Sequence, residues 1–186
     1  MRLFVALEIP STIRENLKEL VKTLRAVSPQ TRWVRPENLH VTLKFIGEVP
    51  EIKLAAIRAA LAQVRSEQSA TLDFRGLGFF PNEKQPRVFW AGIEASSNLK
   101  TLAADIDKAL EAVDIIREQR PFSPHLTLAR FESQRVTDKL RTAIQENARR
   151  DIGSLYINRF HLIESKLKPS GAEYTTVESF LFAAGA

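Results

Sequence analysis

One pattern, His-x-Thr-x, occurs twice in this chain, and the copies lie 85 residues apart: His40-Val41-Thr42-Leu43 and His125-Leu126-Thr127-Leu128. The same offset sets Arg2 on Arg87, Phe4 on Phe89, Ala6 on Ala91, Ser11 on Ser96 and Leu17 on Leu102. One offset that holds without a gap over two separated stretches points to an internal duplication. It restricts the chain to two similar units, about residues 1–85 and 86–170, with a closing strand at about 174–182. No linker-like or low-complexity segment separates the units, so residues 1–186 read as a single domain.

Local patterning fits that frame. Residues 2–9 read as a buried strand stopping at Pro10. Ser11 reads as the N-cap of a helix with Ile13, Leu17, Leu20, Val21 and Leu24 on one face. Residues 31–35 form a short extended piece before Pro36, and residues 39–46 form a strand ending at Gly47. Pro50 opens a second helix carrying Leu54, Ile57, Leu61 and Val64. Strands at 71–80 and 87–94 flank a proline-bounded turn, and Ser96 caps a third helix over about 98–113. A strand at 125–131, a helix at about 137–149 and two last strands at about 154–166 and 174–182 complete the chain. The fold class is α+β. Two lobes related by a pseudo-twofold axis, each an antiparallel sheet with helices packed outside, flank a central cleft.

The spacing within the motif has a physical meaning. Residues i and i+2 of a strand face the same way. His40 and Thr42 therefore share one face, with Val41 and Leu43 on the other. A twofold axis brings His125 and Thr127 opposite them. Imidazole is the side chain whose pKa suits proton transfer near neutrality, and a pair supplies a base on one side of a reacting centre and an acid on the other. Two hydroxyls donate hydrogen bonds to the non-bridging oxygens of a phosphate between them. Two other readings stand beside this one. The histidines can be partly buried strand residues bonded to their threonines, or metal ligands. The second lacks ligands, because no cysteine exists and no acidic residue shares these faces near either histidine. His161, the third histidine, has no threonine two places on and reads as an ordinary strand residue.

Composition narrows the function further. The absence of cysteine excludes a disulfide framework, thiolate zinc sites and a cysteine nucleophile. No apolar run approaches the ~20 residues that cross a bilayer. The apolar run 3–7 meets Glu8 at once and reads as a strand, not a secretory segment. A cytoplasmic protein without membrane association is expected. Twenty-seven basic residues against 22 acidic ones give a net charge of +5, which favours a polyanionic partner.

With these features in view, the chain resembles the 2H phosphoesterases, named for two His-x-Thr-x motifs. Within them it is most similar to the RNA 2′,3′-cyclic phosphodiesterases, the LigT-like family once described as 2′-5′ RNA ligases. The resemblance rests on both motifs, on Arg2–Ala6 and on Glu37-Asn38-Leu39-His40. It also includes Phe80-Pro81 with Pro86–Trp90, and Ser165 to the Gly171-x-x-Tyr174 turn. It implies metal-independent hydrolysis of an RNA 2′,3′-cyclic phosphate to the 2′-phosphate, with no cofactor. His40 then resembles the proton donor to the leaving 3′-oxygen and His125 the base that activates water. Thr42 and Thr127 resemble the phosphate-binding hydroxyls, and Arg130 the arginine that contacts phosphate or base. The implied partner is RNA with a cyclic phosphate terminus, or a cyclic nucleotide, and a monomer is favoured. The reverse reaction, 2′-5′ ligation, and a non-catalytic RNA-binding module are the competing functions.

Neighbouring residues are open to two readings each. Strict alternation points Arg130 away from His125, so a bulge or the strand's end must turn it inward. Lys44 shares the His40 face by parity and adds charge at the cleft edge, or is simply solvated. Phe45 either stacks a base at the cleft mouth or, by parity, joins the core with Val41 and Leu43. Trp33, Phe80 and Trp90 read as core or hairpin packing. Arg32, Arg35, Lys166 and Lys168 guide an RNA 3′ end or form ordinary charged surface.

Overall fold

The computed structural model describes residues 1–66, 68–132 and 135–183. The elements follow in the order β1 (Arg2–Glu8), α1 (Ser11–Val27), β2 (Arg32–Trp33), a 3-10 turn (Pro36–Asn38) and β3 (His40–Glu48). A second 3-10 turn (Glu51–Lys53) runs into α2 (Leu54–Leu61), and β4 (Ala70–Phe80), β5 (Val88–Ala95) and α3 (Ser97–Glu111) come next. The chain continues through β6 (His125–Arg130), α4 (Asp138–Asn147), β7 (Ser154–Ile157), β8 (Arg159–Lys168) and β9 (Gly171–Leu181). The strands form two antiparallel sheets, ordered β3-β1-β8-β9 and β2-β6-β5-β4-β7.

The α+β class and the two sheets agree with the sequence pattern, but the sheets are not the two halves of the chain. β1 and β3 are joined by β8 from the second half, and β5 and β6 by β4 from the first. Helices pair across the halves in the same manner, α1 against α4 and α2 against α3. Strand order within a sheet is long-range information that local periodicity does not carry.

β1 is central because it can be covered on both faces: Leu3 through Leu7 are all buried. Helix α1 shows the apolar spacing of a helix that buries one stripe, and Ile13, Leu17, Leu20, Val21 and Leu24 are its buried residues. Leu17 is fully buried, so its truncation to alanine would cost about 2–5 kcal/mol. Both sheets and the helices contribute to one apolar cluster that includes Val5, Leu7, Leu24, Phe89, Leu126 and Phe160. A smaller cluster of Phe4, Ala6 and Ile163, with Tyr174 against it, lies on the opposite face of the first sheet.

Several local expectations are revised. Ser11 is the first helical residue, with Pro10 as the cap and no side-chain cap bond. Ser96 does cap α3, but its hydroxyl accepts from the Thr71 amide and donates to Asn98 instead of capping an α3 amide. Pro50 starts the 3-10 turn before α2, and Val64 is buried beyond the helix end. The two last strands are three, interrupted at Asn158, whose carbonyl takes the Phe182 amide.

Candidate active site

β3 and β6 pack against each other across the two sheets, and they carry the two motifs. Their burial patterns start alike: His and Thr half-buried, the residues after each buried, then a second buried residue, then an exposed one. The cause is a β-bulge at the same place in both. Ala6 pairs with Thr42 and Val5 with Lys44, so Leu43 is the extra residue on β3. Trp90 pairs with Thr127 and Phe89 with Ala129, so Leu128 is the extra residue on β6. Each bulge reverses the alternation that follows it.

The reversal decides three side chains. Arg130 turns to the face of His125 and Thr127. Phe45 turns to the face of His40: it is 60% exposed, and its ring lies 6.2 Å from Phe4. The parity expectation that put it in the core is therefore wrong. Lys44 goes the other way and leaves the cleft. It is 5% exposed, pairs with Asp107 of α3 at 2.5 Å, and donates to the Ile116 carbonyl at 2.7 Å. Asp107 also accepts from the Glu118 amide and meets Arg117. Lys44 is thus a strut beneath β3 that holds the segment leading to His125.

The registers also correct the repeat. Ala6 and Trp90 hold equivalent positions opposite the two threonines, so β1 and β5 correspond at an offset of 84, while β3 and β6 correspond at 85. The match of Phe4 to Phe89 therefore joins residues on opposite faces. Phe4 lies 4.7 Å from the His40 ring, whereas Phe89 packs in the core against Phe79 and Trp33.

Both histidines are held in the same way. His40 Nδ1 lies 2.6 Å from the Asn38 carbonyl, and His125 Nδ1 lies 2.8 Å from the Ser123 carbonyl. A carbonyl only accepts, so each Nδ1 carries its hydrogen and each Nε2 is left as the reactive nitrogen. Asn38 is itself fixed by donating from Nδ2 to the Ala172 carbonyl at 2.8 Å, next to the β8–β9 turn. Gly171, the first residue of β9, has φ +116°, a conformation that side chains rarely adopt, so glycine is needed there.

Aromatic rings wall each imidazole. Tyr174 meets His40 edge-on at 5.1 Å, and Phe80 meets His125 edge-on at 5.0 Å. Phe80 packs on Trp90, whose indole lies so close over β4 that a Cβ on Gly78 would collide with it. Trp33 is core, as expected, but Phe80 and Trp90 belong to the cleft wall. The sequence reading missed Phe4, Tyr174 and the two carbonyls. The carbonyls had a signal, since Asn38 and Ser123 each stand two residues before a motif histidine.

The pKa of His40 is lowered, first by burial and further by the positive charge of Arg130, against the opposing pull of the Asn38 carbonyl. Arg130 sits on the other sheet, so its charge reaches His40 across the cleft. His161 is a buried strand residue, bonded through Nδ1 to Ser179 at 2.8 Å and 3.9 Å from Glu8. Lys166 and Lys168 are paired with Glu164 and Glu173, and strand parity points them away from the face of His161 and Ser165. Among the described residues, no group of three or more metal-ligating side chains is assembled.

Comparisons with known proteins give the family. The family model for LigT like Phosphoesterase matches residues 7–90 and 93–174. This chain belongs to the LigT-like phosphoesterases. It is 35% identical over 182 residues to an RNA 2′,3′-cyclic phosphodiesterase of Methanothermobacter thermautotrophicus, covering 97% of this chain and 98% of that one. It is 38% identical over 193 residues to a protein of the same name from Thermus thermophilus, covering 97% and 89%. Among solved structures, TT0787 of Thermus thermophilus superposes with a TM-score of 0.79 at 33% identity, covering 98% of both chains. E. coli LigT complexed with 3′-AMP gives 0.77 at 28%, covering 97% of both.

Proposed function

We propose that this LigT-like phosphoesterase hydrolyses RNA 2′,3′-cyclic phosphate ends to 2′-phosphomonoesters, without a metal, by acid–base catalysis at His40 and His125. The observation that carries the reading is the matched pair of Nδ1–carbonyl bonds, which leaves two Nε2 atoms for chemistry on facing strands. The names of the relatives support the substrate.

Neutral His125 takes a proton from water at Nε2 as the water oxygen forms a bond to phosphorus. The phosphorus–O3′ bond breaks, and protonated His40 gives its Nε2 proton to O3′. Thr42 and Thr127 donate to the non-bridging oxygens, and Arg130 offsets the charge that grows on them. Strain in the five-membered ester and fixed orientation of the groups reduce what the residues must supply.

The test is incubation with an oligonucleotide ending in a 2′,3′-cyclic phosphate, in EDTA, with identification of the monoester. A 2′-phosphate is expected. Turnover lost in EDTA and restored by one divalent cation would overturn the metal-free mechanism. His40→Ala and His125→Ala should each lose about 10²–10⁴-fold in turnover. A substrate whose leaving group needs no proton should rescue His40→Ala and not His125→Ala. Rescue of the other variant would exchange the two roles.

A further inference from the structure

Beside Arg130, at the end of β6, the cleft face carries a second arginine that the proposed two-histidine chemistry does not use. Arg130 pairs in register with Val88 of β5 and with Arg32 of β2. Directly opposed residues of an antiparallel pair project from the same face. The next pair, Trp33 and Ala129, faces the core, where Trp33 meets Phe89 at 6.1 Å. Arg32 therefore stands beside Arg130 on the cleft face.

Two like charges directly opposite one another weaken a sheet. Such a local conflict marks a place where something other than stability is served. Arg32 meets the Glu132 carboxylate at 3.2 Å, and Arg87 Nη1 donates to the Glu132 carbonyl at 3.0 Å. Arg32 thus meets the Glu132 carboxylate while Arg87 holds the Glu132 backbone, beside Arg130. The Arg32–Glu132 pair is 73% and 71% exposed, so it holds weakly in water and gives way to a better anion. In the other direction, the charge of Arg130 is felt at His40. A positive track therefore runs from the reacting centre through Arg130 to Arg32. Guanidinium is the group that matches phosphate oxygens two at a time.

We propose that Arg32, beside Arg130, binds the phosphodiester adjacent to the terminal cyclic phosphate, so that the enzyme selects RNA 3′ ends over cyclic mononucleotides. This rests on the reaction proposed at His40 and His125. A nucleoside 2′,3′-cyclic phosphate has no second phosphate and leaves Arg32 unused.

The experiment compares a nucleoside 2′,3′-cyclic phosphate with a trinucleotide ending in the same group. Arg32→Gln should raise KM for the trinucleotide roughly tenfold more than for the mononucleotide, with kcat little changed. It should also reduce the slope of log affinity against log salt by about 0.7 for the trinucleotide. Glu132→Gln removes the competing carboxylate and should lower the trinucleotide KM. Arg32→Lys keeps the charge without the fork and should fall between wild type and Arg32→Gln. Equal changes for both substrates in Arg32→Gln, or none for either, would overturn the proposal. If wild type turns over neither substrate, the reaction reading fails by itself. Fluorescence anisotropy with a labelled 2′-phosphorylated trinucleotide then decides the subsite: weaker binding in Arg32→Gln supports it, and unchanged binding overturns it.

Discussion

At His40 three influences meet on one imidazole. Burial and Arg130 disfavour its charged form, the Asn38 carbonyl favours it, and the balance lies below the ordinary histidine value. Charging this imidazole is thus disfavoured in the free protein. In the proposed reaction a phosphodiester anion between the motif strands reverses this, because it offsets Arg130 and attracts the imidazolium. The alkaline limb of kcat/KM, which reports the free enzyme, should therefore lie at lower pH than that of kcat, which reports the complex. Rates measured from pH 5 to 8 check this, and coincident limbs would place the phosphate away from His40. The same shift is a stability statement. The folded state binds fewer protons at His40 than the unfolded chain. Its contribution is complete above the unfolded value of about 6.5 and is lost as pH falls toward the folded one. His161 acts in the same sense, lowered by burial, raised by Glu8 and lowered by Arg159.

On the scale of the strand, the bulges at Leu43 and Leu128 do the positioning. They explain why the motif residues were legible in the sequence while their neighbours were not. His-x-Thr shows its face by simple alternation. One residue later the alternation breaks, and nothing local says so. Lys44 looks like a polar residue continuing the cleft face until Asp107, far along the chain, appears beneath it. The repeat misled for a related reason: identities at an offset of 85 hid a one-residue slip in β5, and one residue exchanges the faces of a strand. The Lys44 strut has an energetic test. Removing one partner of a buried ion pair leaves the other uncompensated, so Lys44→Met should cost about 3–5 kcal/mol in urea unfolding. Adding Asp107→Leu should recover part of that. Recovery stays incomplete because Asp107 also holds the Glu118 amide. A single-variant cost within experimental error of zero would mean the pair is solvated and β3 is held by other contacts.

Across the whole molecule, the order of elements was readable from apolar spacing and turn residues, but the exchange of β4 and β8 between the halves was not. We infer an ancestral duplication from the matched bulges and carbonyl bonds, with each copy completing the other's sheet. Residues 1–85 and 86–186 expressed separately should then lack stable structure by circular dichroism, and mixing them should restore it. A half that folds cooperatively alone would show that its sheet does not need the borrowed strand. The exchange also bears on how the cleft behaves mechanically. Two lobes joined by a single connector could swing open like a book. Here the chain passes between the two sheets at β1–β2, β2–β3, β3–β4 and β7–β8, and both sheets share one apolar cluster, so moving them apart would strain every crossing and expose that core. The gap between the motif strands is therefore set once, when the chain folds. If the proposed reaction holds, the flexible RNA end, rather than the enzyme, makes the adjustments needed to enter it.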